Sequence, residues 1–111
     1  MELKKMRHNN IKFSANWNNK LDCSAFTTIR PKDSERFQIG REYKIILKNT
    51  FKKNARIEAI KTIYYHQINE FIAQMDTGYS AHETKNIIKK MYSKVNLERQ
   101  PFSFILLKTI K

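Results

Sequence analysis

The stretch that most constrains the fold is Phe26-Thr27-Thr28-Ile29-Arg30, together with the second run that follows it, Glu42-Tyr43-Lys44-Ile45-Ile46-Leu47-Lys48. The first runs through β-branched and aromatic residues and ends on a charge, and the second alternates apolar and polar residues with the one exception of Ile46, so both read as strands. Between them lies Pro31-Lys32-Asp33-Ser34-Glu35-Arg36-Phe37, then Ile39-Gly40, which reads as a loop and a glycine turn. Thr27, Thr28 and Arg30 therefore stand where a strand meets a loop. Polar groups at such a place can face a cleft while the scaffold holds them. Period two sends the threonines to opposite faces, so only one of them faces a ligand.

The rest of the chain extends this pattern. Ile11–Ser14 is a short strand candidate, and Trp17 and Leu21, at i and i+4, predict a short helix over 15–21. The large flat face of Trp17 suits a core anchor or a platform for a stacked base. A turn over 49–54 leads to a long strand over 55–65, with a bulge expected near Ile57 and Ala59. Ile68, Phe71, Ile72 and Met75 recur at helical spacing, so a helix is predicted over 66–75, stopped at Asp76-Thr77-Gly78. Ser80 and Glu83 form a capping box, and Ile87, Ile88, Met91 and Tyr92 make the apolar face of the helix it opens. Phe102–Leu107, apolar on both faces, suits a central strand. This order predicts an α+β fold: one domain over 1–111, a small mixed β-barrel with two or three flanking helices. Residues 1–10 are expected to form a flexible basic arm.

Charge bears on the partner. The chain has 22 Lys and Arg against 10 Asp and Glu, a net +12. The excess is uneven: residues 1–56 carry 14 basic and 5 acidic side chains, residues 57–111 carry 8 and 5. Such a balance favours RNA or a nucleoprotein complex as partner. The hairpin cations Lys48, Lys52, Lys53 and Arg56 are candidate phosphate contacts, with Lys32 and Arg36 on the loop. Arg30 is the candidate for holding a phosphate or a base edge bidentately, or else for fixing the loop through Asp33 or Asp76.

Other chemistries find little footing. The lone Cys23 excludes an internal disulfide, has no histidine near it in sequence, and reads as a small buried thiol. His8, His66 and His82 have no metal-ligand spacing, two glycines make no phosphate loop, and no cofactor is expected. No run approaches a membrane span or a signal peptide, so a cytoplasmic protein is expected.

The order of elements, with Thr28-Ile29-Arg30, the loop to Gly40, the hairpin, the Ser80–Tyr92 helix and the Phe102–Leu107 strand, resembles the ASCH family over residues 11–109. These are small β-barrels related to the PUA RNA-binding fold. The resemblance implies a cleft for RNA or nucleosides beside the arginine. Some bacterial members are amidohydrolases that deacylate acetylcytidine. They use a lysine three residues before the threonine, the threonine itself, and a glutamate. Here Thr28 and Arg30 match, the lysine position is Ala25, and the glutamate position falls near Asp76-Thr77. The pattern Gly-x-Lys-x-x-Glu-x-Arg keeps only its arginine.

The expectation is therefore a non-catalytic RNA-binding module that admits a nucleotide at Thr28 and Arg30. One alternative is a residual amidohydrolase using Lys20, Thr28 and Asp76. For that role Lys20 must be buried or lie beside a cation, whereas the sequence favours a solvent-facing Lys20, with Asp76 as a helix stop and Glu83 as a cap. Another alternative is a small basic inhibitor, of the kind a phage carries, that blocks a nucleic-acid enzyme.

Overall fold

The computed structural model describes residues 9–110, so most of the expected basic arm, residues 1–8, lies outside the described residues. The strands are β1 (Asn10–Phe13), β2 (Ala25–Pro31), β3 (Glu42–Leu47), β4 (Thr50–Tyr64) and β5 (Pro101–Ile110). A 3₁₀ segment, Trp17–Asp22, joins β1 to β2. Between β4 and β5 lie a short 3₁₀ turn (Tyr65–Gln67), helix α1 (Glu70–Asp76) and helix α2 (Ala81–Met91).

The five strands form one mixed sheet in the order β1-β3-β4-β5-β2. β1 runs parallel to β3, and every other pair is antiparallel. The sheet is an α+β half-barrel with flanking helices, as the pattern predicts. Its curl comes from the length of β4, 15 residues, and from irregularities in register at Ile57/Ala59 and Ile45/Ile46. Each extra residue bends the strand and increases its twist.

β1 and β2 are the two free edges, and the curl brings them face to face. The rings of Phe13 and Phe26 meet edge to face at 6.3 Å. Arg30 Nη2 donates to the Lys12 carbonyl at 2.6 Å. The seam between these edges is where the barrel stays open.

Two apolar clusters follow from the two faces of the sheet. Ile11, Phe13, Leu21, Phe26, Tyr43 and Ile45 fill the concave side with Ile57 and Leu107. Ile29, Ile63, Ile68, Ala73, Ile88 and Phe102 pack on the helix side. β5 lies between β4 and β2, so both of its edges are paired; Phe102, Ile105 and Leu107 of its apolar run are buried, while Leu106 is 38% exposed.

Local chemistry moves several boundaries. The hairpin turn is only Lys48-Asn49, both with positive φ (49° and 67°), not the predicted 49–54. That is the backbone of a two-residue turn whose twist suits the flanking strands. α1 starts at Glu70 instead of His66, because the Asn69 side chain caps it by accepting from the Ile72 amide at 2.9 Å. The Ser80–Glu83 capping box forms as expected. Met91, expected on the packed face of α2, is 52% exposed.

Candidate functional site

A cleft opens at the seam. Its walls are Lys12 and Phe13 of β1, Thr28 and Arg30 of β2, Trp17 and Lys20 of the 3₁₀ segment, Asp76 at the end of α1, and Ile87, Met91 and Tyr92 of α2 and its C-cap. Its enclosed part is about 40 Å³, and the space including its open mouth is about 460 Å³. A void of the smaller size holds roughly two or three waters. It accepts a small reacting group, while the bulk of any ligand stays in the mouth.

Lys20 is the feature that sequence reasoning misplaced. Asn18 and Asn19 adopt left-handed backbone conformations (φ 56° and 53°), which asparagine tolerates better than most residues. The Asn16 side chain accepts from the Leu21 amide at 2.8 Å and donates to Asp22 at 3.2 Å. The asparagines that make a regular helix weak thus build a tight turn in which Lys20 and Leu21 are buried. Lys20 is 5% exposed, and its Nζ donates to Asp76 Oδ1 at 3.0 Å.

Asp76 is correspondingly more than a helix stop. It is 6% exposed, and the same Oδ1 accepts the Thr27 hydroxyl at 2.9 Å. Burial lowers the pKa of Lys20, Asp76 opposes that shift, and the nearby Arg30 adds to it. Burial favours the neutral amine and the Asp76 contact favours the charged one, so the two act on Lys20 in opposite directions. Ala25, at the lysine position of the resembled pattern, is exposed at the start of β2. The amine of this cleft therefore arrives from another element.

Both threonines are buried, since the sheet is covered on both faces, and they have separate partners. Thr28 lines the cleft and its Oγ1 accepts from Arg30 Nε at 2.9 Å. Arg30 makes no ion pair with Asp33 or Asp76. Thr28, the Lys12 carbonyl and the Phe13 ring at 4.7 Å hold its guanidinium. Burial lowers its pKa, but a guanidinium stays charged all the same. Tyr92 closes the far wall against Phe102, its pKa raised by burial with Arg30 in opposition.

Trp17 belongs to neither apolar cluster. It is half-buried on the cleft wall, edge-on to Tyr79 at 6.0 Å. The spacing to Leu21 gave no sign of that placement.

The hairpin cations do not line the cleft. Lys52 pairs with Asp22 at 2.7 Å, and Arg56 with Glu42 at 3.1 Å. Lys53 donates to the Cys23 carbonyl at 2.9 Å and lies over Phe26. Lys48 sits exposed in the turn and Lys32 exposed on the loop. Arg36 donates to the Asn10 carbonyl at 3.1 Å, close enough to Arg30 to act on it through charge. Cys23, expected to be buried, is exposed. Among the described residues no group of three His, Cys, Asp or Glu side chains is placed to hold a metal ion. Among them, too, no helix is long and apolar enough to cross a membrane.

No family model and no curated protein matches the chain. A solved structure of protein EF3133 from Enterococcus faecalis V583, of the family DUF984, is similar in fold. The two superpose with a TM-score of 0.62 over 84% of this chain and 68% of that one, at 12% sequence identity. At that identity the likeness is one of fold alone: a curled sheet with flanking helices.

Proposed function

We propose that the seam cleft is the active site of a nucleoside amidohydrolase of the ASCH type, acting on an acylated nucleobase amine such as that of acetylcytidine. The observation that carries this reading is the buried Lys20 amine on Asp76, in one cleft with Thr28 and Arg30. The lysine missing at Ala25 is functionally replaced from the 3₁₀ segment. The resemblance supplies the substrate class.

The roles are assigned from the shared lining of the cleft. Thr28 Oγ1 accepts from Arg30, which leaves its own proton available to a base. Unprotonated Lys20 takes that proton as the threonine oxygen attacks the acyl carbon. The anchored Arg30 cation steadies the negative oxygen that forms. Lys20 then gives its proton to the departing base amine, and water releases the acyl group from Thr28 in a second step through the same residues. Asp76 steadies the charged form of Lys20 throughout. The enclosed space has the size for an acyl group, and the nucleoside remains in the mouth.

Release of cytidine from acetylcytidine, followed by chromatography, tests this. Lys20→Ala and Thr28→Ala should each lower kcat by roughly 10²–10⁴-fold, the usual range for a lost proton transfer. No turnover by the natural protein, or turnover indifferent to Lys20→Ala, overturns the reading.

A second reading, an RNA-binding module without chemistry, is favoured by the net charge of +12. Its mark would be RNA affinity that falls steeply with salt while acetylcytidine stays intact.

A further inference from the structure

The charges around the cleft do not balance. Lys12, Lys20 and Arg30 line it, and Asp76 is the one carboxylate among the lining residues. Lys20 already occupies that carboxylate at 3.0 Å. Arg36, held on the Asn10 carbonyl, adds a further positive charge beside Arg30 and Tyr92. Among the described residues Arg30 has Nε and Nη2 hydrogen-bonded and Nη1 without a partner. A cation removed from water with no counter-charge is costly, and an arriving anion offsets that cost. The same lining also carries flat and apolar surface from Trp17, Ile87 and Met91. A ligand matching both kinds of surface has a planar apolar body and an anionic end.

We propose that the cleft takes a nucleoside monophosphate in preference to the free nucleoside, with the base beside Trp17 and the phosphate toward Lys12 and Arg36. This rests on the reading of the cleft as a nucleoside site and specifies its substrate further. The enclosed space, about 40 Å³, is too small for a base and a phosphate together. The phosphate therefore sits at the β1 side of the mouth, where Lys12 is exposed.

The chain has one tryptophan, Trp17, so its fluorescence reports binding without any turnover. The intact protein is titrated with cytidine, with cytidine 5′-monophosphate and with inorganic phosphate. The monophosphate should bind at least about tenfold more tightly than cytidine, the size of one good charged contact. Inorganic phosphate should compete with it. The gap should narrow in Lys12→Gln, a change at an exposed position that leaves the fold intact, and again in Arg36→Gln. Equal affinities, a gap that neither variant alters, or no fluorescence response to any of the three overturns the proposal. Hydrolysis of acetylcytidine is scored separately. Turnover without a monophosphate preference sinks this inference and leaves the hydrolase standing. A monophosphate preference without turnover does the reverse.

Discussion

Lys20 is the residue on which the site depends. Its partner Asp76 is 56 positions away in sequence, so no local spacing could join them. An isolated lysine among asparagines reads as solvated surface, and only the left-handed turn at Asn18 and Asn19 sends it inward. Thr28 and Arg30 were legible because strand periodicity places them by itself. The buried pair has a testable energetic signature. Removing one partner leaves the other charge buried and uncompensated, typically a cost of about 3–5 kcal/mol, whereas replacing both with apolar groups of similar size is often near neutral. Chemical denaturation at pH 7 should therefore find Asp76→Leu much less stable than the double variant Lys20→Met with Asp76→Leu. A double variant as unstable as the sum of its parts would mean the pair is not coupled. The pH dependence has a definite sign. Burial holds the folded pKa of Lys20 below the usual 10.5. Between the folded value and 10.5 the unfolded chain binds the extra proton, so this group makes stability rise with pH across that window. Lys20→Met should remove that rise. Tyr92 acts oppositely: its folded pKa is above the usual 10.0, so its contribution falls as pH climbs past 10.0.

At the scale of elements the sequence was read more successfully, because each element carries its own local signals. The strands β2 and β3, the bulge near Ile57, the Ser80–Glu83 cap and the central place of β5 all stand in the structure. The misses are at joints, where one side-chain contact decides: Asn69 capping α1, and Lys48-Asn49 turning the hairpin. One joint matters for the cleft. Gly78, between α1 and α2, has φ +80°, and a Cβ placed there would lie 2.7 Å from Asn18 Cγ and 3.0 Å from its Cβ. The turn after α1 is thus pressed against the residue that directs Lys20 inward. Gly40 has a similar φ of +88° with nothing within 4 Å. Gly40→Ala should cost about 1–2 kcal/mol, the strain of a left-handed backbone alone. Gly78→Ala should cost more, and Asn18→Gly should recover the excess by clearing the contact. Thermal unfolding of the four proteins measures this. Equal losses for the two alanine variants would show that the Asn18 contact carries no weight.

On the scale of the whole molecule, the site exists because the barrel fails to close. The hairpin sets β3 beside β4 and the apolar run of β5 suits a central place, but β1 joins the sheet by parallel pairing to β3 alone. It thereby ends up opposite β2, and nothing in the sequence states that two edges from one end of the chain will meet. Across the opening, Arg30 bonds to Thr28 on its own strand and to the Lys12 carbonyl on the other. The residue expected to greet a ligand therefore also ties the seam. Hydrogen bonds of a charged donor contribute about 1.5–3 kcal/mol each, a large share of what holds a short edge strand. Arg30→Ala should then free β1 before it frees anything else. β5, with a strand on each side, opens only with global unfolding. Amide hydrogen exchange on the natural protein and on Arg30→Ala distinguishes local from global loss. Protection should fall in β1 by an order of magnitude or more beyond any fall in β5. An equal fall in both would make Arg30 a general stabiliser, and unchanged β1 protection would mean that β3 and the Phe13–Phe26 contact hold the edge without it. A selective fall would show that the guanidinium facing the cleft also sets how far the cleft can open.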